Sequence, residues 1–558
     1  WYTIDPSVFF RNNSTTPPNV NKEMLSNHYM REVLESELFP AKEFPNGIVP
    51  NLATLDLAYY PTERGPYNFD TSPTTISAGI TTNGRLADPS TRWAGIMRTI
   101  ETPNFEETNV EYIEFWLMDP FIYNTNSAGG KLYINLGDIS EDVLLDHKKA
   151  FENGLPTSPE MTGVDSTQWG VVPKYQALVN SFDANLDARK YQDVGYDGLT
   201  NDNEKNYFNS YLQSIASIYG TGSVAYQLAL NDPSSDNYHY FRGTDYDDLG
   251  YNILQRYKYY KNSDGNSPTP DMSNESYPTS ATNNPNSEDI NRDNTLNELE
   301  RYYQYEINLN PDEMVIGENY ITDIYTASVK LPNGNSEKVK WYQFKVPVKR
   351  PDKIVGDISD FTSIRFMRIF LKNWSDSVVL RFGTMDLARS QWRRYSYSLL
   401  QPGEYLPGNE QNLTTFDITN LNIEENGSRK PIPYVMPPGL EREINYGTTN
   451  LQKQNEQSLS IKVCHLIDGD ARGIFKSTDY DFRYYKKIKM NVHSEEVDPL
   501  NYPLNDGDLT LFIRLGTDFD RNYYEYEIPL HPTPWGNYSS DDDSRKKIWA
   551  DSVELVLD

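Results

Sequence analysis

The chain has almost no cysteine. Cys464 is alone among 558 residues, so no intramolecular disulfide can form, and stability has to come from core packing or from bound metal. Basic residues are also short: 51 Lys and Arg face 80 Asp and Glu, a formal charge of −29, which argues against nucleic-acid binding, since phosphate contacts need clustered cations. No apolar run approaches the roughly 20 residues of a spanning helix. A transmembrane β-barrel is not excluded by this, because its strands leave only a weak alternating pattern. The chain starts at Trp1 without an initiator Met or a signal peptide, so it is expected to be a piece of something longer.

Catalytic signatures are scarce too. GxSxG and HExxH are absent, and His28, His147, His239, His465, His493 and His531 show no spacing that supports a nucleophile and base. Cys464 and His465 are adjacent in the strand-like run SIKVCHLI, where neighbours point to opposite faces, so the thiol is expected to be a buried apolar group. Zinc would need Cys and His pairs that are not present. Glu111 with Glu114, or Asp138 with Asp142, have the residue types of a glycosidase pair, but solvated acids on a strand or loop explain them more simply. Trp93, Trp116, Trp341, Trp374 and Trp392 are expected to pack in a core more often than to stack on sugars.

The richest feature is a pair of acidic loops. In the second, Asp289, Asn291, Asp293, Asn297 and Glu300 stand at positions 1, 3, 5, 9 and 12 of a calcium-loop spacing, and Thr295 offers its backbone carbonyl at position 7. Asn294 replaces the usual Gly at position 6, where a left-handed residue is needed and Asn is tolerated. The first loop, DVGYDGLTNDNE, keeps Asp193, Asp197, Asn201 and Glu204 but has Gly195 at position 3, one ligand fewer. The same residues also read as solvated acidic turns. Two matches, each running into an expected helix (Glu204 to Ile218, Leu296 to Tyr305), favour calcium as a structural cofactor.

Strand-like alternation dominates elsewhere. Three stretches share one pattern, a strand followed by a loop and a second strand ending in Gly: Glu111–Phe115 with Leu132, Ile134, Leu136 and Gly137; Ser363–Leu371 with Val378, Leu380, Phe382 and Gly383; Tyr485–Val492 with Leu511, Ile513, Leu515 and Gly516. Such recurrence implies copies of a jelly-roll-like β-sandwich unit. The expected organisation is an N-terminal extended region plus a first unit (1–160), a partly helical insertion with both acidic loops and the polar run Asn262 to Asn286 (161–310), a second unit (311–450) and a third (451–558). Lys330 to Val348 reads as a hairpin around Asn333-Gly334, and Glu23 to Ser36 as a short helix.

Long ordered motifs carry a resemblance. YYPTERGPYNFD (Tyr59–Asp70), RWAGIMRTI (Arg92–Ile100), EYIEFWLMDPF (Glu111–Phe121), GGKLYINLGDISEDVL (Gly129–Leu144) and FENGLP (Phe151–Pro156) resemble the SprA/Sov family. So do DNYHYFRGTDYDD (Asp236–Asp248), EDINRDNTLNELERYYQYEINL (Glu288–Leu309) and YVMPPGLERE (Tyr434–Glu443). The resemblance implies a fragment of the outer-membrane translocon of the type IX secretion system of Bacteroidota, a giant β-barrel that passes folded cargo and is linked to gliding motility. On that reading the sandwich units are extramembrane parts of the barrel protein, exposed at the cell surface and without enzymatic activity. The partners it implies are a PorV-like outer-membrane barrel, a plug protein and secreted cargo with a type IX signal. The rival readings are a calcium-stabilised surface glycan-binding jelly-roll protein and a calcium-dependent polysaccharide hydrolase.

Overall fold

Strands form where the sequence alternates. In RYYQYEINL, residues 301 to 309, Tyr303, Tyr305, Ile307 and Leu309 are buried while the residues between them are half-exposed, which is the signature of a sheet with one face on a core. This stretch overturns the helix expected over Leu296 to Tyr305: a run of aromatic and β-branched residues at period two packs on a pleated surface and not on a helix face. The expected N-terminal helix over Glu23 to Ser36 is likewise reduced to a 3-10 turn at Met24–Ser26 and a single helical turn at Glu35–Leu38.

The structure is a computed structural model and describes residues 1–44, 47–260, 284–399, 404–406, 414–445 and 452–557. The polar run Asn262 to Asn286 lies outside the described residues but for its last three. Strand exceeds helix, 28% against 15%, so the chain is mainly β. It divides into two compact units: Trp1–Val33 with Asn51–Thr108 and Tyr112–Leu387, and Leu34–Pro50 with Asn109–Glu111 and Ala388–Asp558.

In the first unit the strands are β1 (Leu55–Tyr59), β2 (Trp93–Thr99), β3 (Val110–Met118), β4 (Gly130–Asp138), β5 (Val164–Ser166), β6 (Val171–Pro173), β7 (Arg301–Leu309), β8 (Ile321–Lys330), β9 (Ser336–Pro347), β10 (Lys353–Val355), β11 (Phe366–Lys372) and β12 (Val378–Arg389). Two five-stranded sheets result, in the orders β1-β12-β3-β9-β8 and β10-β7-β4-β11-β2. Neither closes into a barrel. The expected hairpin is β8–β9, turning at Leu331–Asn335 with Gly334 at φ 96°.

The recurring motif is resolved differently from the expectation of separate units. In both of its first two copies the leading and trailing strands go to opposite sheets: β3 and β12 lie side by side in one, β4 and β11 in the other. The stretches expected as units 1–160 and 311–450 therefore interleave in one two-sheet body. The third copy has the same division on a smaller scale. Lys487–Val492 pairs with Asp551–Val556, and Thr510–Gly516 pairs with Tyr523–Pro529, each a two-stranded ladder of the second unit.

The core of the first unit is aromatic. Phe115 of β3 stacks on Phe344 of β9 at 4.7 Å between centroids and meets Phe382 of β12 edge-on at 5.5 Å; all three are essentially inaccessible. Each such ring contributes about 1.5–3 kcal/mol by burial. Trp374, also buried, rests its indole directly on Gly130, where any Cβ would lie 2.3 Å from the ring. Trp116 and Trp341 are in the core as well, whereas Trp93 and Trp392 are exposed.

β3 and the first half of β12, Val378 to Gly383, are buried on both faces, and a charge explains how. Arg381 on β12 donates to Asp56 Oδ1 at 3.0 Å, to the carbonyls of His28 (2.7 Å) and Arg31 (3.0 Å), and to Thr54 Oγ1 at 3.2 Å. The N-terminal segment is thereby held across the sheet's outer face, and His28 reaches β9 through Glu337 at 2.9 Å. Between β6 and β7 a helical segment (Asn201–Tyr207, Asn209–Tyr219, Val224–Asn231) packs Phe208, Leu212, Ile215, Ala225 and Ala229 into a separate cluster. In the second unit Thr415–Asn422 pairs with Gln457–Cys464, and Cys464 is half-buried there, not fully buried as expected.

Removing the guanidinium leaves Asp56 charged, buried and unpaired. Arg381→Ala is expected to cost about 3–5 kcal/mol, read from the urea midpoint. Adding Asp56→Asn should restore part of that, because an amide needs no counter-charge.

Candidate metal centre

The two acidic loops fold in opposite senses. In the second, Asp289 is buried, but both its oxygens are in use: Oδ1 accepts from Asp293 N at 3.1 Å, and Oδ2 accepts from Asn294 N and Lys149 Nζ, both at 2.9 Å. Asn291 Oδ1 accepts from Asp293 N, and its amide donates to Asp293 Oδ2. Asp293 Oδ1 accepts from the amide and hydroxyl of Thr295, which lowers its pKa, and Oδ2 meets Arg365 at 3.3 Å. Asn297 gives its side-chain amide to Ile139 O, and Glu300 is held by both arms of Arg368 at 2.9 and 3.1 Å. Asn294 does take positive φ, 67°.

At the centre of this loop sits another carboxylate. Glu141 is fully buried and accepts from the backbone N–H of Ile290, Asn291 and Asn297 at 3.0, 3.3 and 3.1 Å. A loop that points its amides inward to an anion has the wrong polarity for a cation. The residues proposed from spacing, Asp289, Asn291, Asp293, Thr295, Asn297 and Glu300, are thus placed near one another without a shared set of open oxygens.

In the first loop carboxylates do converge, and two of them keep an open oxygen. Asp197 and Glu204 are buried, and they meet Asp236, buried as well; one carboxylate oxygen from each lies within 4.8 Å of the others. Asp197 Oδ1 accepts from Leu199 N at 2.8 Å, and Asp236 Oδ2 accepts from Tyr196 N at 2.8 Å and Asp197 N at 3.2 Å. Ser234 Oγ lies 2.9 Å from Glu204 Oε2 and 2.8 Å from Asp236 Oδ1, but its single hydrogen serves one of them at a time. Asp197 Oδ2 and Glu204 Oε1 are buried with no hydrogen-bond partner among the described residues.

The other proposed residues of this loop stand apart. Asp193 turns to Arg189 at 3.8 Å, and Asn201 opens the helix Asn201–Tyr207. Asp236, which reading the loop alone could not supply, is 32 residues beyond Glu204 in sequence. Its signal was Gly195. A Cβ at that position would lie 2.5 Å from Asp236 Oδ2, so the glycine that seemed to cost a ligand makes room for one brought from elsewhere. A second grouping of ligand types joins buried Asp142 to exposed His147 and Glu298, with His147 paired to Glu298 at 2.9 Å and Asp142 accepting backbone amides.

Electrostatics follows from burial. Desolvation, then the charge of Asp236 and of Glu204, raises the Asp197 pKa far above the carboxylate range. Desolvation and Asp236 push Glu204 up to about 7, and desolvation raises Asp236. The guanidinium of Arg64 is nearby but donates to the carbonyls of Asn68 and Pro233. An all-oxygen set of three acids matches hard cations, calcium first, and not zinc.

A family model described as motility related/secretion protein, SprA_N, matches residues 210–557, more than half of the chain. The chain belongs to the SprA family. The family match includes Asp236 and the whole second loop, while Asp197 and Glu204 precede it. No curated protein matches the chain. Among the described residues no helix is long and apolar enough to cross a membrane.

A carboxyl group whose pKa is higher folded than unfolded binds its proton more tightly in the folded chain, so its contribution to stability is full below the unfolded pKa and is lost as pH rises through the folded one. For Glu204 that window runs from about 4.3 to about 7. In EDTA, Tm is expected to fall between pH 5 and pH 8, and Glu204→Gln should flatten the fall. Differential scanning calorimetry at both pH values checks this.

Proposed function

We propose that this chain is a non-catalytic part of the type IX secretion translocon of the outer membrane, contributing to the conduit or cap through which folded cargo reaches the cell surface, and linked to gliding motility. The observation that carries the reading is the match to a motility and secretion family over residues 210–557. The long motifs from Tyr59 to Pro156 extend the likeness upstream of that span.

The physical demands of the role fit the fold. A passage for folded proteins needs walls that hold their shape without disulfides. The first unit meets this with a two-sheet core whose strands interleave from distant parts of the chain, and with a buried ion pair that fixes the N-terminal segment over one sheet. Its work on this reading is binding and gating by shape. The partners are a PorV-like barrel that collects cargo, a plug protein at the other end and clients carrying the type IX signal.

Affinity purification of the tagged parent protein from outer membranes, followed by mass spectrometry, tests the proposal. Co-purification of a PorV-like barrel, a plug or secreted clients is the expected result. Recovery of the protein alone with bound polysaccharide would overturn it.

A further inference from the structure

We propose that Asp197, Glu204 and Asp236 form a calcium site that closes the open end of the helical segment Asn201–Asn231. Two observations independent of the acidic composition support it. Asp197 Oδ2 and Glu204 Oε1 are buried without a partner, in residues at least nine-tenths inaccessible, and both belong to the cluster. Gly195, at φ 105°, leaves the space over its α-carbon to the Asp236 carboxylate.

The geometry suits the ion. Calcium takes oxygens at about 2.3–2.6 Å, so ligands on opposite sides of it stand about 4.6–5.2 Å apart. The three carboxylates offer oxygens within 4.8 Å of one another, no farther apart than ligands on opposite sides of one such ion. Magnesium prefers oxygens at about 2.0–2.1 Å in a near-octahedral shell and keeps its water, which a dry three-acid pocket serves poorly. Asp197 and Glu204 have their other oxygen fixed by Leu199 N and by Ser234 N, while Asp236 accepts through Oδ2 from Tyr196 N and Asp197 N and through Oδ1 from the shared Ser234 hydroxyl. These contacts orient the three carboxylates before the ion arrives.

The topology gives the ion a mechanical role. Glu204 is in the first turn of the first helix, Asp197 in the loop before it, and Asp236 in the turn that follows the third helix at Asn231. One cation therefore ties the entry of the helical segment to its exit. Without it, three buried carboxyl groups crowd the joint with only a serine hydroxyl between two of them. This site stands apart from the translocon reading and does not depend on it.

Calorimetric titration of the chain with calcium, after EDTA and buffer exchange, tests the proposal together with Tm in calcium and in EDTA. The expected result is one tight site per chain and a Tm raised by calcium more than by magnesium. Asp236→Asn should weaken binding on the order of a hundredfold, since affinity follows ligand charge. The same variant should melt no lower than the parent in EDTA, because the amide removes a repelling charge, so loss of binding is not loss of fold. Asp293→Asn in the other loop should leave binding unchanged. No calcium heat and no Tm shift, or binding that survives Asp236→Asn but not Asp293→Asn, would overturn it.

Discussion

Three backbone amides, from Ile290, Asn291 and Asn297, converge on the buried carboxylate of Glu141, and carboxylates accept backbone amides in the same way in several other loops. Glu288 accepts from Val143 N and Ala150 N, Glu152 from Asn286 N, Asp232 from Ser235 N and Asp236 N, and Asp518 from the amides of Asp520, Arg521 and Asn522. A buried amide without a partner costs about 1–3 kcal/mol, and long irregular segments produce many of them. An ionised carboxylate is an acceptor with about four lone-pair sites, so one residue can organise a whole turn. The acid excess, which composition alone assigns to solubility, is in part a framework for the loops.

That constraint separates the two acidic loops. Oxygen spacing finds both, because residues at alternate positions of a tight loop turn inward whether they will hold a cation or cap an amide. What decides is the direction of the backbone. Around Glu141 the amides point in; around Asp197 and Glu204 the amides are used up by single oxygens and two oxygens remain open. Backbone direction is not written in the spacing, so Asp197 and Glu204 were legible from sequence while the different fate of Asp289, Asn291 and Asp293 was not. Asp236 was hidden for another reason: it comes from a separate turn, and the only mark it left locally was Gly195.

The fold was legible to a similar depth. Period-two stretches such as Leu132–Leu136 and Val378–Phe382 became strands where expected, and Asn333-Gly334 set the β8–β9 turn. The helix expected to follow Glu300 failed because a calcium-loop template was carried past the loop into a segment whose own alternation says strand. Partnership between strands was out of reach. β1 pairs with β12 across more than 300 residues and β4 lies between β7 and β11, and such pairings follow from how faces fit, which no local window records.

Two buried charged centres bear on how the first unit holds together, and they differ in one respect. At Arg381 the charge is answered within the chain: Asp56 and three neutral acceptors surround the guanidinium, so the joint between the N-terminal segment and the sheet is complete in itself. At Asp197, Glu204 and Asp236 the guanidinium of Arg64 is turned to backbone carbonyls, and among the described residues no ion pair answers the three acids. Because burial raises these pKa values, protons can fill that role up to about neutral pH, and it is lost as Glu204 releases its own near 7. Under the proposed reading a cation takes over as the protons leave, where calcium is abundant. The joint between the entry and the exit of the helical segment would then be held by protons at low pH and by the cation above it, whereas the joint at Arg381 needs neither.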